Sequence, residues 1–504
     1  MATFIKKKEL VKTLKRLSMS NGAATNSILL TFVQGITTVL GFIITKLLSV
    51  HFSLQDYGTY SQALLVTTTV TSISILGLTN ATNFFYNRTK DEKAQRIYVA
   101  TIFTIQYIVG LACAILVFAL RVPISRYFGN ETLIGVLPIV ALTPLFTNLI
   151  AMYQTLFVSI GKAKVIAVRN LTVSVIRLCA VVIACYILNN IITVLVAILC
   201  MDIAQVAYFY TLFKKCKQPI SIQDSRFELT KEILVFSIPM SIYVLTNSLS
   251  RDIDKYVISA FSNAEMLAIY TNAAKVLPFD MLTSSLITIL IPIMTRMINQ
   301  KKYSEAKSVF KLYLRIGYVL TFIFVGGAVA VSEDLMRFLY AEKFLVGLPV
   351  FIVYLFVDMI RFANVTTILS GAGKTKILMT ISMITMLCNA VFNIIGYKLL
   401  GMLGPALVTL ILTMGMTIAL LHFGAKEIHA RIHELFDFKE ILIVGLEILT
   451  VGVLTHILSR FLSEYAISYV VRLILCYGLY MVVLVALNYK RALECYRKLN
   501  RYKR

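Results

Sequence analysis

Thirteen charged side chains stand within or beside apolar stretches: Lys46, Arg177, Asp202, Arg251, Asp252, Asp254, Lys255, Lys275, Asp280, Asp358, Arg361, Glu447 and Arg472. A charge in hydrocarbon costs at least ~2.5–3.5 kcal/mol on insertion scales, so each should face a wet cavity or a partner. Arg251, Asp254 and Lys255 stand at i, i+3 and i+4, on one face of a helix. Arg251 and Lys255, together with Lys46, Lys275 and Arg177, are expected to line a cationic, anion-binding cavity, the guanidinium offering bidentate contacts and the ammonium a point charge. Other placements fit the same spacing. Lys46 and Lys255 are near enough to a helix end to snorkel to the surface. Asp254 is positioned to neutralise Arg251 or Lys255, and Asp358 and Arg361, at i and i+3, to pair within their helix. Asp254, Asp280, Asp358 and Arg361 are therefore candidates for ion coupling or for pairing, and Asp202 and Glu447 for the same two roles.

The elements that must hold these groups are membrane spans. The chain has 504 residues, 58% hydrophobic and 15% charged, with mean hydropathy +0.81, against roughly 45–50% and 25% in soluble domains. Fourteen apolar stretches reach the roughly 20 residues a helix needs to cross hydrocarbon. The fold class expected is an all-α integral membrane protein. It divides into a basic N-tail (1–25), an N-lobe of six helices (26–213), a linker (214–231), a C-lobe of six helices (232–424), two further helices (425–488) and a basic C-tail (489–504). With the N-terminus placed inside, the inner segments hold 36 of the 49 Lys and Arg and the outer loops hold 6: Arg121, Arg126, Arg337, Lys343, Lys398 and Arg460. The positive-inside rule then puts both termini on the cytoplasmic side. It also accounts for the net charge of +24 without nucleic acid. No removable signal peptide is expected, the first span serving as its own. The eight cysteines form no CxxC pair and read as small apolar side chains or reduced thiols.

A repeat organises the spans. Lys46, Phe52-Ser53, Asp56 and Tyr60-Ser61-Gln62-Ala63 match Lys255, Phe261-Ser262, Glu265 and Tyr270-Thr271-Asn272-Ala273, with one residue inserted. Gly161-Lys162-Ala163-Lys164-Val165 matches Gly373-Lys374-Thr375-Lys376-Ile377. The offset spans an even number of helices, so the copies are parallel, and a site between two such lobes lies near midplane.

Enzymatic motifs fail on inspection. Gly371-Ala372-Gly373-Lys374-Thr375 lacks the first glycine of a phosphate-binding loop, with Ile368 in its place, and no strand precedes it. His429 and His433 lack a third ligand, and no nucleophile–base set is present. No outer loop is long enough for a catalytic domain. The chain is read as a non-enzyme without metal or cofactor.

Leu54-Gln55-Asp56-Tyr57-Gly58-Thr59-Tyr60 after the first span resembles the turn of bacterial polysaccharide flippases. Phe236-Ser237-Ile238-Pro239, Asp254-Lys255 and Ile269-Tyr270-Thr271-Asn272-Ala273-Ala274-Lys275 resemble the second-lobe pattern. The whole chain is similar to the O-antigen and capsule-repeat-unit (Wzx-like) exporters of the multidrug/oligosaccharidyl-lipid/polysaccharide (MOP) superfamily. The resemblance implies a twelve-helix, two-lobed core plus two helices, alternating access in the cytoplasmic membrane, and an undecaprenyl-pyrophosphate-linked oligosaccharide as cargo. A polysaccharide polymerase and glycosyltransferases are the partners it suggests. Tyr153, Tyr243 and Tyr270 are candidates to stack on sugar rings. A peptidoglycan-precursor flippase wants the same cationic cavity. A cation-drug antiporter of this fold would want carboxylates in helices 1 and 7, and helix 1 has none.

Overall fold

The structure, a computed structural model, describes residues 32–89, 91–216, 220–275, 277, 290–291, 293–465 and 467–501. Among them the only regular structure is helical, and 13 helices are long and apolar enough to cross a membrane. In chain order the spans are α1 (Phe32–His51), α2 (Leu54–Arg88), α3 (Glu92–Ala119), α4 (Leu133–Ser159), α5 (Lys164–Leu188), α6 (Ile192–Cys216), α7 (Phe227–Phe261), α8 (Ala264–Ala273), α9 (Tyr303–Ala330), α10 (Glu342–Ile360), α11 (Thr375–Leu400), α12 (Leu403–Glu427), α13 (Phe438–Glu464) and α14 (Tyr469–Arg491). Helix α8 is the first part of the eighth expected span; the rest falls largely outside the described residues, as does Asp280. The face reached where α1 ends and α2 begins is called distal, the opposite one proximal.

Local chemistry sets the helix ends and breaks. Ser53 caps α2 by accepting the Asp56 amide at 3.0 Å, and Asn263 caps α8 by accepting that of Met266 at 2.9 Å. Helix α2 breaks at Leu76-Gly77, both with positive φ (45° and 69°). A Cβ on Gly77 would lie 2.3 Å from the Ser237 carbonyl oxygen of α7, so the break carries an approach of backbone to backbone that only glycine allows. Helix α10 stops at Ile360, and helical structure resumes at Thr367–Gly371. Asn364 directs this interruption. Its side chain accepts the Thr366 amide at 3.1 Å and its own amide donates to the Tyr313 hydroxyl at 2.9 Å, a turn that replaces the helical ladder.

Among the described residues the largest core of buried apolar side chains crosses between the two lobes toward the distal face. There Phe52, Tyr57, Val136, Leu267, Met336 and Phe351 belong to one continuous core. Toward the proximal face the N-lobe (α1–α6) and C-lobe (α7–α12) have separate cores, although the start of α7 lies on the N-lobe, with Phe236 stacked 4.3 Å from Phe84. Helices α13 and α14 pack on α9, where Gly326 and Gly327 leave room for Tyr480 and Ile448. Three carboxylates fasten this pair. Asp334 accepts from Arg472 and Ser459, Glu440 from Arg315 and Tyr318, and Glu447 from Asn488 and Arg491. Arg472 and Glu447, two of the charges noted in the sequence, are thereby accounted for as fasteners.

Candidate functional site

A cavity of about 920 Å³ lies between the lobes, lined by α1, α2, α4, α5, α7, α8, α10 and α12. It brings together four of the five cations expected to bind cargo, Arg177, Arg251, Lys255 and Lys275, and adds Arg361. Among the described lining residues one carboxylate faces them. Asp252 forms a 2.5 Å ion pair with Lys255. Among the described residues no carboxylate forms an ion pair with Arg177, Arg251, Lys275 or Arg361. The Lys275 ammonium donates to the Thr45 hydroxyl of α1 at 3.2 Å, sits 5.3 Å from the Phe42 ring centroid and feels the charge of Arg177. The Arg251 Nε donates to the Asn247 carbonyl at 3.3 Å, a weak contact that leaves the guanidinium plane available. Helical geometry explains the set. At about 100° per residue, Arg251, Lys255 and Asp252 occupy one arc of α7 centred on Lys255, while Asp254 lies on the other side and enters the lobe.

Lys46 is placed elsewhere. Its ammonium donates to the carbonyls of Arg337 and Tyr340, each at 2.6 Å, and approaches the Tyr469 ring at the start of α14. Beside it the Ala341 amide donates to the Ser49 hydroxyl at 3.0 Å, and Lys343 donates to the Phe52 carbonyl. The loop before α10 thus grips the end of α1 and closes the distal face. Lys343 was not singled out from the sequence as a site residue, although it is one of the six cations in the loops expected on the outer side. The turn motif serves the same seam. A Cβ on Gly58 would lie 2.2 Å from the Ala264 carbonyl oxygen, and the Tyr57 hydroxyl donates to Asn272 at 3.0 Å.

The acidic candidates take structural partners. Asp254 is buried and accepts the hydroxyls of Tyr270 (2.9 Å) and Tyr354, together with the Lys255 amide at 2.8 Å, and among the described residues it forms no ion pair with Arg251 or Lys255. It ties α7 to α8 and α10. Asp358 accepts the Leu277 amide at 3.0 Å, whereas Arg361, just past the end of α10, faces the cavity. Asp202 accepts from Thr147 and Gln205 inside the N-lobe. Tyr153 is fully buried against Phe103 and Tyr270 is engaged by Asp254, so both face away from the cavity. The Tyr243 side chain lies outside the described residues.

A model of polysaccharide biosynthesis proteins matches residues 43–349. The chain belongs to that family. No curated protein sequence matches it. Among solved structures it is similar to the lipid II flippase MurJ in an inward closed conformation, with TM-score 0.70 at 17% identity, covering 92% of this chain and 100% of that one. An inward-facing multidrug resistance MATE transporter of the MOP superfamily gives TM-score 0.65 at 13% identity over 80% and 98%. A MOP superfamily transporter from Pyrococcus furiosus, described as having a binding pocket of reverse polarity, gives 0.56 at 14% over 80% and 94%. At these identities the likenesses show the fold alone. The family adds a place in polysaccharide biosynthesis.

Proposed function

We propose that the protein carries a polyprenyl-anchored, pyrophosphate-linked oligosaccharide across the cytoplasmic membrane by alternating access, with both termini cytoplasmic. The observation that carries this reading is the set of four cavity cations that form no ion pair with a carboxylate among the described residues. Each is costly in a bilayer, and together they require a polyvalent anion to complete them. Pyrophosphate supplies that charge, and Arg177, Arg251 and Arg361 offer it bidentate contacts while Lys275 adds a point charge. Membership of the polysaccharide biosynthesis family supports a sugar-bearing cargo. A cation-drug antiporter is disfavoured by the same electrostatics. A peptidoglycan precursor has the same anionic linkage, so the cations alone do not separate it from other lipid-linked sugars.

The test is translocation of a fluorescent polyprenyl-pyrophosphate oligosaccharide in proteoliposomes. Arg251→Gln and Arg361→Gln should each lower affinity roughly tenfold or more, as expected for a charged hydrogen bond removed from a desolvated site. Undiminished binding and transport in the double variant would remove the basis of the proposal.

A further inference from the structure

The cavity wall is chemically divided by lobe. Among the described residues, only Arg177 is charged of the 17 that line it from the N-lobe, whereas five of the 12 from the C-lobe are. What the N-lobe presents instead is hydroxyls, and these are biased. All seven aliphatic hydroxyls that α1 and α2 contribute to the lining donate their proton to a carbonyl of their own helix, at 2.7–3.0 Å. An oxygen so committed has only lone pairs left to offer. Two already show that behaviour. Thr45 accepts from Lys275 at 3.2 Å, and the Ser72 hydroxyl lies 2.9 Å from the Thr68 carbonyl and 2.7 Å from the Ser248 hydroxyl, so Ser248 donates to Ser72 when Ser72 gives its proton to Thr68. Thr68 and Thr71 stand one turn apart on α2 and carry the same acceptor character.

A wall of acceptors repels phosphate and carboxylate oxygens and attracts O–H donors. The opposite wall, with Arg251, Lys275 and Arg361, does the reverse. We propose that the two lobes divide the cargo: the C-lobe cations hold its anionic linkage, and the α2 acceptor row around Thr68 and Thr71 binds the hydroxyls of uncharged sugar residues beside that linkage. This rests on the cargo class proposed above and narrows it to lipid-linked sugars that are neutral next to the pyrophosphate.

Calorimetric titration of the purified full-length protein with three probes tests the division: polyprenyl pyrophosphate without sugar, the same lipid bearing an uncharged disaccharide, and the same bearing a uronic acid in the disaccharide. Wild type should bind the neutral disaccharide lipid tighter than the bare lipid and tighter than the uronic acid lipid. Thr68→Val with Thr71→Val should lose roughly five- to thirtyfold on the neutral disaccharide lipid, the worth of two neutral hydrogen bonds, and nothing on the bare lipid. Thr68→Ser with Thr71→Ser keeps both oxygens and should retain wild-type affinity. An equal loss on both lipids, no loss on the neutral one, or a preference for the uronic acid lipid would overturn the division. Failure of wild type to bind any of the three would overturn the cargo class itself, whereas bare-lipid binding with unaltered disaccharide affinity in the valine variant would sink only the inference.

Discussion

Asp252 sets how much positive charge the cavity presents, because among the described residues it is the one acid lining it beside five cations, and it engages Lys255 at 2.5 Å. Asp252→Asn should therefore release Lys255 and tighten polyprenyl pyrophosphate binding several-fold, with a steeper loss of affinity as salt rises, since each further cation adds a screened contribution. Titration at two ionic strengths reads both effects; weaker binding would mean instead that Asp252 holds Lys255 in its working position. The repeat made Lys46 and Lys255 equivalent, and the sequence alone gave no reason to separate them. Their neighbours do. The position matching Asp252 in helix 1 is Ile43, so Lys46 has no acid on its own helix and turns to the Arg337 and Tyr340 carbonyls. A repeat conserves spacing along a helix, not the loop that packs against it. The hydroxyl partners of Asp254 were illegible for a related reason: i, i+3 spacing shows which charges share a helix side, but not that Tyr270 and Tyr354 stand beside that arc.

Spans were legible at the scale of elements because hydropathy over roughly 20 residues is a strong signal; the interruptions within them were not. Leu76-Gly77 and the turn at Asn364 lie in sequence that remains apolar, and their cause is a contact made by another helix or by a single side chain. Glycines read the same way. Gly58→Ala should force apart α2 and α8 at the Ala264 carbonyl, costing about 1–3 kcal/mol of stability as overpacking does and lowering the melting temperature. Gly445→Ala on α13, where an added Cβ meets nothing within 4 Å, should leave it unchanged or raised. Equal melting temperatures in the two variants would refute the close approach. The α13–α14 pair offers a second case. Asp334→Ala strands Arg472 without the carboxylate that accepts its Nε at 3.0 Å, and breaking a buried pair from one side costs about 3–5 kcal/mol. Thermal unfolding should drop accordingly, with protease sensitivity appearing first in the link between α12 and α13. Unchanged melting would mean that apolar packing at Gly326 and Gly327 holds the pair by itself.

For the whole molecule, alternating access requires the distal seam to part, and its contacts are discrete enough to be locked. The seam is held by Lys46 on two carbonyls, Ser49 on the Ala341 amide, Lys343 on the Phe52 carbonyl, and Tyr57 on Asn272. None of these is deeply apolar, which suits an interface that opens and closes, because polar contacts exchange for water at small net cost. The 3.0 Å contact between the Ser49 Oγ and the Ala341 amide brings the two chains within reach of a disulfide. In a background stripped of the eight native cysteines, Ser49→Cys with Ala341→Cys should crosslink on oxidation and stop lipid-linked oligosaccharide transport in proteoliposomes, and reduction should restore it. Binding of cargo from the proximal side should survive the crosslink, since the cavity and its cations lie away from the bond. Transport at the wild-type rate in fully crosslinked protein would show that this seam stays shut throughout the cycle, and the cargo would then have to leave between helices without the distal lobes separating.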